Sequence, residues 1–345
     1  MLGGGVFVTQ NKVLPGSYIN FVNASVASST VGERGVVAIA LPIGKSAGSV
    51  IELTSADFAK NCETILGKKY DSNDVIALRE IFRHANKVYV YDLGAEGEKT
   101  AQNAVDALEA YEFNILCAYT STDASVYIAA VKTWRDEMGK KCQVVVYNQA
   151  KPDYEGVINV VSTVDGDDAI EYALVAWVAG AEAGCSINES CTNMRYDGEY
   201  TVVTNKTQKQ LENCITNGEI ALHLVYGDVR VLEDINSLTT VTADKGEDFK
   251  SNQTIRVIDQ IANDIAKLFN TKYLGKIPNN ESGRVSLWGD VVKHHRELEE
   301  IGAIENFDSS LVTVAQGNTK KSVVVNDVIT VVNSMAQLYM TVVVQ

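Results

Sequence analysis

The chain has 345 residues, 46% of them hydrophobic, with a formal net charge of -14 and a pI near 4.8. That length and apolar share suffice for two or three domains, while so acidic a surface repels nucleic acid and anionic lipid, whose phosphates need clustered Lys and Arg. No basic-then-apolar leader opens the sequence and no run of about 18 apolar residues occurs, so folding in a cytosol, without a membrane span, is expected.

Residues 1–28 read as an arm. Two short strand patterns, the second including Tyr18, Ile19, Phe21 and Val22, flank the turn Leu14-Pro15-Gly16-Ser17. Small polar residues from Asn23 to Thr30 follow, among them Ala24, Ser25 and Ser28, and suit a hinge connector. Strand patterns at Gly35 to Leu41 and Ser49 to Leu53, then a helix through Val75, Leu78, Ile81 and Phe82, suggest a small, mainly β domain over 29–86.

From Lys87 apolar strands alternate with helices: strands at Val88 to Tyr91, Asn114 to Tyr119, Gln143 to Tyr147 and Val157 to Val161, helices at Thr100 to Tyr111, Ala124 to Met138 and Asp168 to Ala183. This is the pattern of βαβ units and a largely parallel sheet, an α/β domain over 87–236. Strands are expected at Ile220 to Tyr226 and Val229 to Leu232. A mixed α+β domain over 237–334 follows, with helices at Thr254 to Asn270 and Asp290 to Ile301, the latter closed by Gly302. The final segment, 335–345, alternates Leu338, Met340, Val342 and Val344 with other largely apolar residues, carrying neither charge nor proline to blunt an exposed edge. Such a strand either lies inside its own sheet or completes that of another subunit.

Charge is uneven. Residues 1–239 hold 19 basic against 31 acidic side chains, a net of -12, and residues 240–345 hold 11 against 13, a net of -2. The balanced third is where packing against another protein is expected, and Lys293, His294 and Arg296 mark one candidate contact, with a merely solvated helix face as the alternative.

Catalytic constellations fail one by one. Gly44-Lys45-Ser46 resembles the end of a phosphate loop, but the glycine that loop needs at position 39 is Ile39. Only four histidines occur; the adjacent His294 and His295 diverge by about 100° on a helix and make poor joint metal ligands. Asn333-Ser334-Met335-Ala336 resembles a subtilisin nucleophile segment without its preceding glycine. The six cysteines form no C-x-x-C pair and read as small buried hydrophobes. No catalytic residue, metal or cofactor is expected.

Several stretches carry a resemblance. Gly227-Asp228-Val229-Arg230-Val231, Glu233-Asp234-Ile235-Asn236-Ser237-Leu238-Thr239-Thr240, Phe249 through Arg256, Ile258, Asp259 and Ile261, and Tyr273-Leu274-Gly275-Lys276-Ile277-Pro278-Asn279-Asn280 with Gly283-Arg284 resemble the tail sheath family of contractile phages. The opening Leu2-Gly3-Gly4-Gly5 and the segment Leu14 to Phe21 resemble sheaths of defective prophages and phage-tail-like bacteriocins of Gram-positive bacteria. The resemblance implies an arm, a β domain, a subtilisin-like α/β domain without a triad, and a carboxy-terminal assembly domain. It also implies strand exchange by both arms, sixfold rings stacked helically around a tail tube, and contact with baseplate and tail terminator proteins. Assembly would take place in the bacterial cytoplasm, before the virion or particle is released. A tube or baseplate component, or more distantly an α/β hydrolase, are the alternative readings.

Overall fold

The structure, a computed structural model, describes Gly32 and residues 34–95, 98–166 and 170–342. The expected arm with Tyr18, Ile19, Phe21 and Val22, the connector residues Asn23, Ala24, Ser25 and Ser28, and Val344 lie outside them.

The first strands are β1 (Val36–Leu41) and β2 (Val50–Thr54), followed by helices α1 (Ser55–Leu66) and α2 (Ile76–Ile81). Then come β3 (Lys87–Asp92), α3 (Ala101–Leu108), β4 (Ile115–Cys117), α4 (Ala124–Thr133), β5 (Gln143–Tyr147) and β6 (Val157–Val160). A short pair, β7 (Val164–Asp165) with β8 (Thr201–Val202), brackets α5 (Leu174–Gly184), and α6 (Gln208–Thr216) leads to β9 (Glu219–Ile220). Local chemistry fixes the ends. The Thr54 hydroxyl accepts from the Asp57 N–H to start α1, and Gly67, at φ 69°, closes it through its N–H to the Glu63 carbonyl.

Seven strands make one sheet in the order β2-β3-β1-β4-β5-β6-β9, parallel throughout except for β2 on β3. Both faces are covered. Val37, Ile39 and Leu41 of β1 enter the core shared with α1, α2 and α5, whereas Ala38 and Ala40 enter the core shared with α3 and α4. Every side chain of such a strand is drawn inward, which accounts for its unbroken apolar run. That run also corrects the expected separate β domain over 29–86: β1 lies between β3 and β4, so its strands belong to the α/β sheet.

Helix α5 is buried on almost its whole circumference. It reaches that depth by lying against backbone: a Cβ on Gly180 would come within 2.4 Å of the Ile81 carbonyl oxygen, and one on Gly184 within 2.1 Å of that of His84.

The expected strand from Ile220 to Tyr226 divides at Ala221. β9 ends the large sheet, and β10 (Leu222–Val225) turns into a hairpin with β11 (Asp228–Val231). Tyr226 and Gly227 both hold positive φ at its tip, the geometry that matches hairpin twist.

The remaining elements are α7 (Asn252–Leu268), α8 (Glu281–Glu300) and two antiparallel pairs, β12 (Ile304–Glu305) with β15 (Thr330–Val331) and β13 (Thr313–Gln316) with β14 (Val323–Asn326). α8 begins nine residues before the expected Asp290, because the Asn280 side chain caps it by accepting from the Gly283 N–H at 2.9 Å. Among the described residues no helix is long and apolar enough to cross a membrane.

Candidate assembly surfaces

The chain leaving β15 is pinned to the start of α7. Gln253 donates to the Val332 carbonyl (3.2 Å) and accepts from the Ser334 N–H (2.9 Å), while Asn333 bonds the Thr254 hydroxyl. Past Ser334 the character changes. Met335, Leu338 and Met340 are 102%, 86% and 76% exposed, and Tyr339 and Val342 are similarly open. Residues 335–342 pair with no strand among the described residues. Burying a large apolar side chain is worth about 1.5–3 kcal/mol, so such a run in water is a surface waiting to be covered.

On α8 the expected contact trio separates. Lys293 is 62% exposed, pairing with Glu297 at 3.1 Å, and Arg296, three positions on, shares that open face. His294 does not. It is fully buried against α7, with Nε2 3.0 Å from an Asp264 oxygen, and His295 is buried 2.7 Å from Asp327. One position is a rotation of about 100°, enough to move a side chain from solvent to core. Burial lowers the His294 pKa, and the Asp264 hydrogen bond and charge only partly offset it.

The residues carrying the resemblance mostly form a junction rather than a reactive site. Arg256 on α7 is buried with a guanidinium nitrogen 2.6 Å from Glu182 of α5 and 3.2 Å from Asp234. Asp259, one turn on, forms a buried bidentate pair with Arg135. Asn236 and Ser237 are also buried, the Ser237 hydroxyl donating to the Tyr154 carbonyl at 2.9 Å. In the later stretch, Asn279 donates to the Lys320 and Ser322 carbonyls and so ties the start of α8 to the turn before β14.

The phosphate-loop fragment does bind an anion, but an internal one. Backbone N–H groups of Gly44 (2.8 Å), Lys45 (2.9 Å), Ser46 (2.6 Å) and Gly94 (2.8 Å) all donate to the buried carboxylate of Asp92. Burial alone would raise the Asp92 pKa; the four donors outweigh it and hold the pKa below the ordinary value. The nest is therefore filled by the protein's own side chain. Asp92 carried no motif; its signal is an acidic residue at the end of a parallel strand beside a glycine turn.

Glu182, Cys191 and Asp234 bring ligand atoms within 4.8 Å of one another, a spacing a metal could use, but the Arg256 guanidinium is already the cation between the two carboxylates. His223 is half-buried in the hairpin opposite Arg230, not in the core, and the Ser334 N–H is engaged by Gln253.

Residues 94–237 match the phage tail sheath protein central domain, and residues 244–345 match the phage tail sheath C-terminal domain. The chain is 31% identical over 230 residues to the phage-like element PBSX protein XkdK of Bacillus subtilis, covering 63% of this chain and 49% of that protein; it thus spans about half the length of the curated Bacillus relatives it matches. It is 28% identical over 301 residues to the tail sheath protein of Clostridium phage phiCD119, covering 85% of this chain and 82% of that one. The sheath tail protein of Desulfitobacterium hafniense superposes with a TM-score of 0.75 at 27% identity, covering 87% of this chain and 93% of its own. With two adjoining sheath domains matched in order and the fold of a solved sheath protein, the chain belongs to the phage tail sheath family.

Proposed function

We propose that this protein is the repeating subunit of a contractile tail sheath, polymerising around a tail tube in a metastable extended state and contracting to drive the tube through a target cell envelope. The observation that carries the reading is the apolar segment 335–342, held at its root by α7 and exposed beyond it among the described residues. An edge of that kind gains both ladder hydrogen bonds and apolar burial when it completes a sheet in a second copy. In this reading segment 335–345 and the sequence-predicted arm 1–28 join neighbouring subunits, and the domain over 237–334 organises the assembly. The sheet domain is a scaffold of subtilisin-like type that catalyses nothing. Tail tube, baseplate and terminator proteins are the expected partners, with Lys293 and Arg296 facing the tube, and the subunit passes from the cytoplasm into a released particle. No nucleotide is needed, in keeping with a phosphate nest occupied by Asp92.

Deletion of 336–345 tests the proposal. The shortened protein is expected to stay folded and monomeric, with an unchanged thermal midpoint, yet to form no cylinders in electron micrographs. Cylinders of normal yield from the deletion variant would refute strand exchange through this segment.

A further inference from the structure

The chain entering β1 is fastened to the same helix as the root of the tail. The Gly32 N–H donates to Asp264 Oδ2 at 3.0 Å, and the Gly32 carbonyl accepts from Gln260 Nε2 at 3.3 Å. Gln260 is braced in turn, donating to Asp264 Oδ1 at 3.0 Å and accepting from Arg34 at 3.4 Å. Asp264 Oδ2 also lies 3.0 Å from His294 Nε2, so α8 backs the clamp. Gly32 leaves room for it: a Cβ there would come within 2.6 Å of Asp264 Oδ1 and 2.9 Å of Gln260 Nε2, displacing both.

The tail clamp is built alike. Gln253 meets the Val332 carbonyl and the Ser334 N–H with the two ends of one carboxamide, as the peptide group of a neighbouring strand would. Gln253, Gln260 and Asp264 are all buried, where polar side chains need partners, and each finds backbone from one end or the other of the chain. Positions 253, 260 and 264 fall within about 40° of one another around a helix axis, and Gln253 and Gln260 are about 10 Å apart along it. The helix between them is firmly held. Arg256 and Asp259 make buried ion pairs with Glu182 and Arg135, and Ile255, Val257 and Ile261 are core residues.

We propose that Gln253, Gln260 and Asp264 are positioning residues for assembly, fixing on one face of α7 the two points from which the terminal segments set out toward second copies of this chain. The inference rests on the sheath reading and adds to it the origin of register. Tying both origins to one helix removes the search each segment would otherwise make for its place, which is the gain of preorganisation. With one clamp open, every freed residue adds about 3.3–3.6 Å of slack, and the two contacts no longer keep a set separation.

Hydrogen exchange of the full-length protein reads the clamps, and electron micrographs read assembly. Gln260→Met and Gln253→Met keep much of the volume and remove the carboxamide; Gly32→Ala opens the first clamp without altering α7, should the other variants fail to fold. The expected result is that exchange of the amide at position 32 in Gln260→Met and Gly32→Ala, and at position 334 in Gln253→Met, rises about tenfold. The α7 amides stay protected, the thermal midpoint holds, and the yield of cylinders falls several-fold. A merely structural role would instead lower the midpoint and speed exchange along all of α7, and that result would overturn the proposal. So would unchanged exchange at both positions, or clamp amides that exchange faster in variants whose cylinders form at the wild-type yield. Absence of cylinders from the wild type itself would sink the sheath reading and this inference with it, a failure distinct from the others.

Discussion

Asp92 and His294 show how single buried groups set the acid response. Asp92 holds four backbone N–H groups, so Asp92→Asn, which keeps the shape but turns an amide toward donors, should cost about 1–3 kcal/mol. Urea unfolding should show a lower midpoint at unchanged slope. Because its folded pKa is depressed, this stabilisation is present above the unfolded value near 3.9 and lost as pH falls through the lower folded value. His294 acts in a different window. Its folded pKa is also depressed, so the unfolded chain binds the proton more readily and stability declines as pH falls through about 6.5. His294→Gln should lower stability at pH 8 yet flatten its decline between roughly pH 7 and 5; an equally steep decline in the variant would assign that window to another group.

At the scale of elements, α8 divides its duties by face. One side buries Leu287, Val291, His294 and Leu298, and the other presents Lys293 and Arg296 to solvent. Reversing both charges, Lys293→Glu with Arg296→Glu, should leave subunit stability within about 0.5 kcal/mol and permit empty sheath while weakening sheath on tube. Unchanged particle yield at both low and high salt would mark the face as merely solvated. The helix start and the tail illustrate what pattern recognition reaches. The sequence pattern placed a helix at Asp290 to Ile301; its first turns were missed although Leu287 continues the apolar spacing of Val291 and Leu298, because Gly283 and Gly289 are poor helix formers. The alternation at Leu338, Met340 and Val342 suggested a strand, yet a strand needs a partner, and the described chain offers that segment none.

At the scale of the whole molecule, the proposed sheath requires movement of one subunit to reach the next. In that proposal a strand paired with a neighbour cannot slide without breaking its ladder, so the pull passes through the segment joining it to the body. The sequence offers Asn23 to Thr30 for that role, small residues with little resistance to rotation. Inserting three residues after Ser25 adds roughly 10 Å of slack. Extended particles should still form but resist triggering by mild denaturant. Shortened, widened sheaths from that insertion variant would show that the pull takes another route.

The sequence by itself determined the class of the large domain, since apolar strand runs such as Gln143 to Tyr147 and Val157 to Val161 alternate with helices from Lys87 on, as strands covered on both faces do. It also determined the family, through stretches whose buried Asp234, Arg256 and Asp259 hold the chain together internally. Tertiary structure decided which strands are neighbours, placing β1 between β3 and β4. It decided which side of α8 carries His294, and that the Gly44 to Ser46 nest is filled by Asp92. These depend on contacts between residues far apart in the chain; local periodicity fixes an element's type, whereas its neighbours and its rotation follow from the packing of the whole.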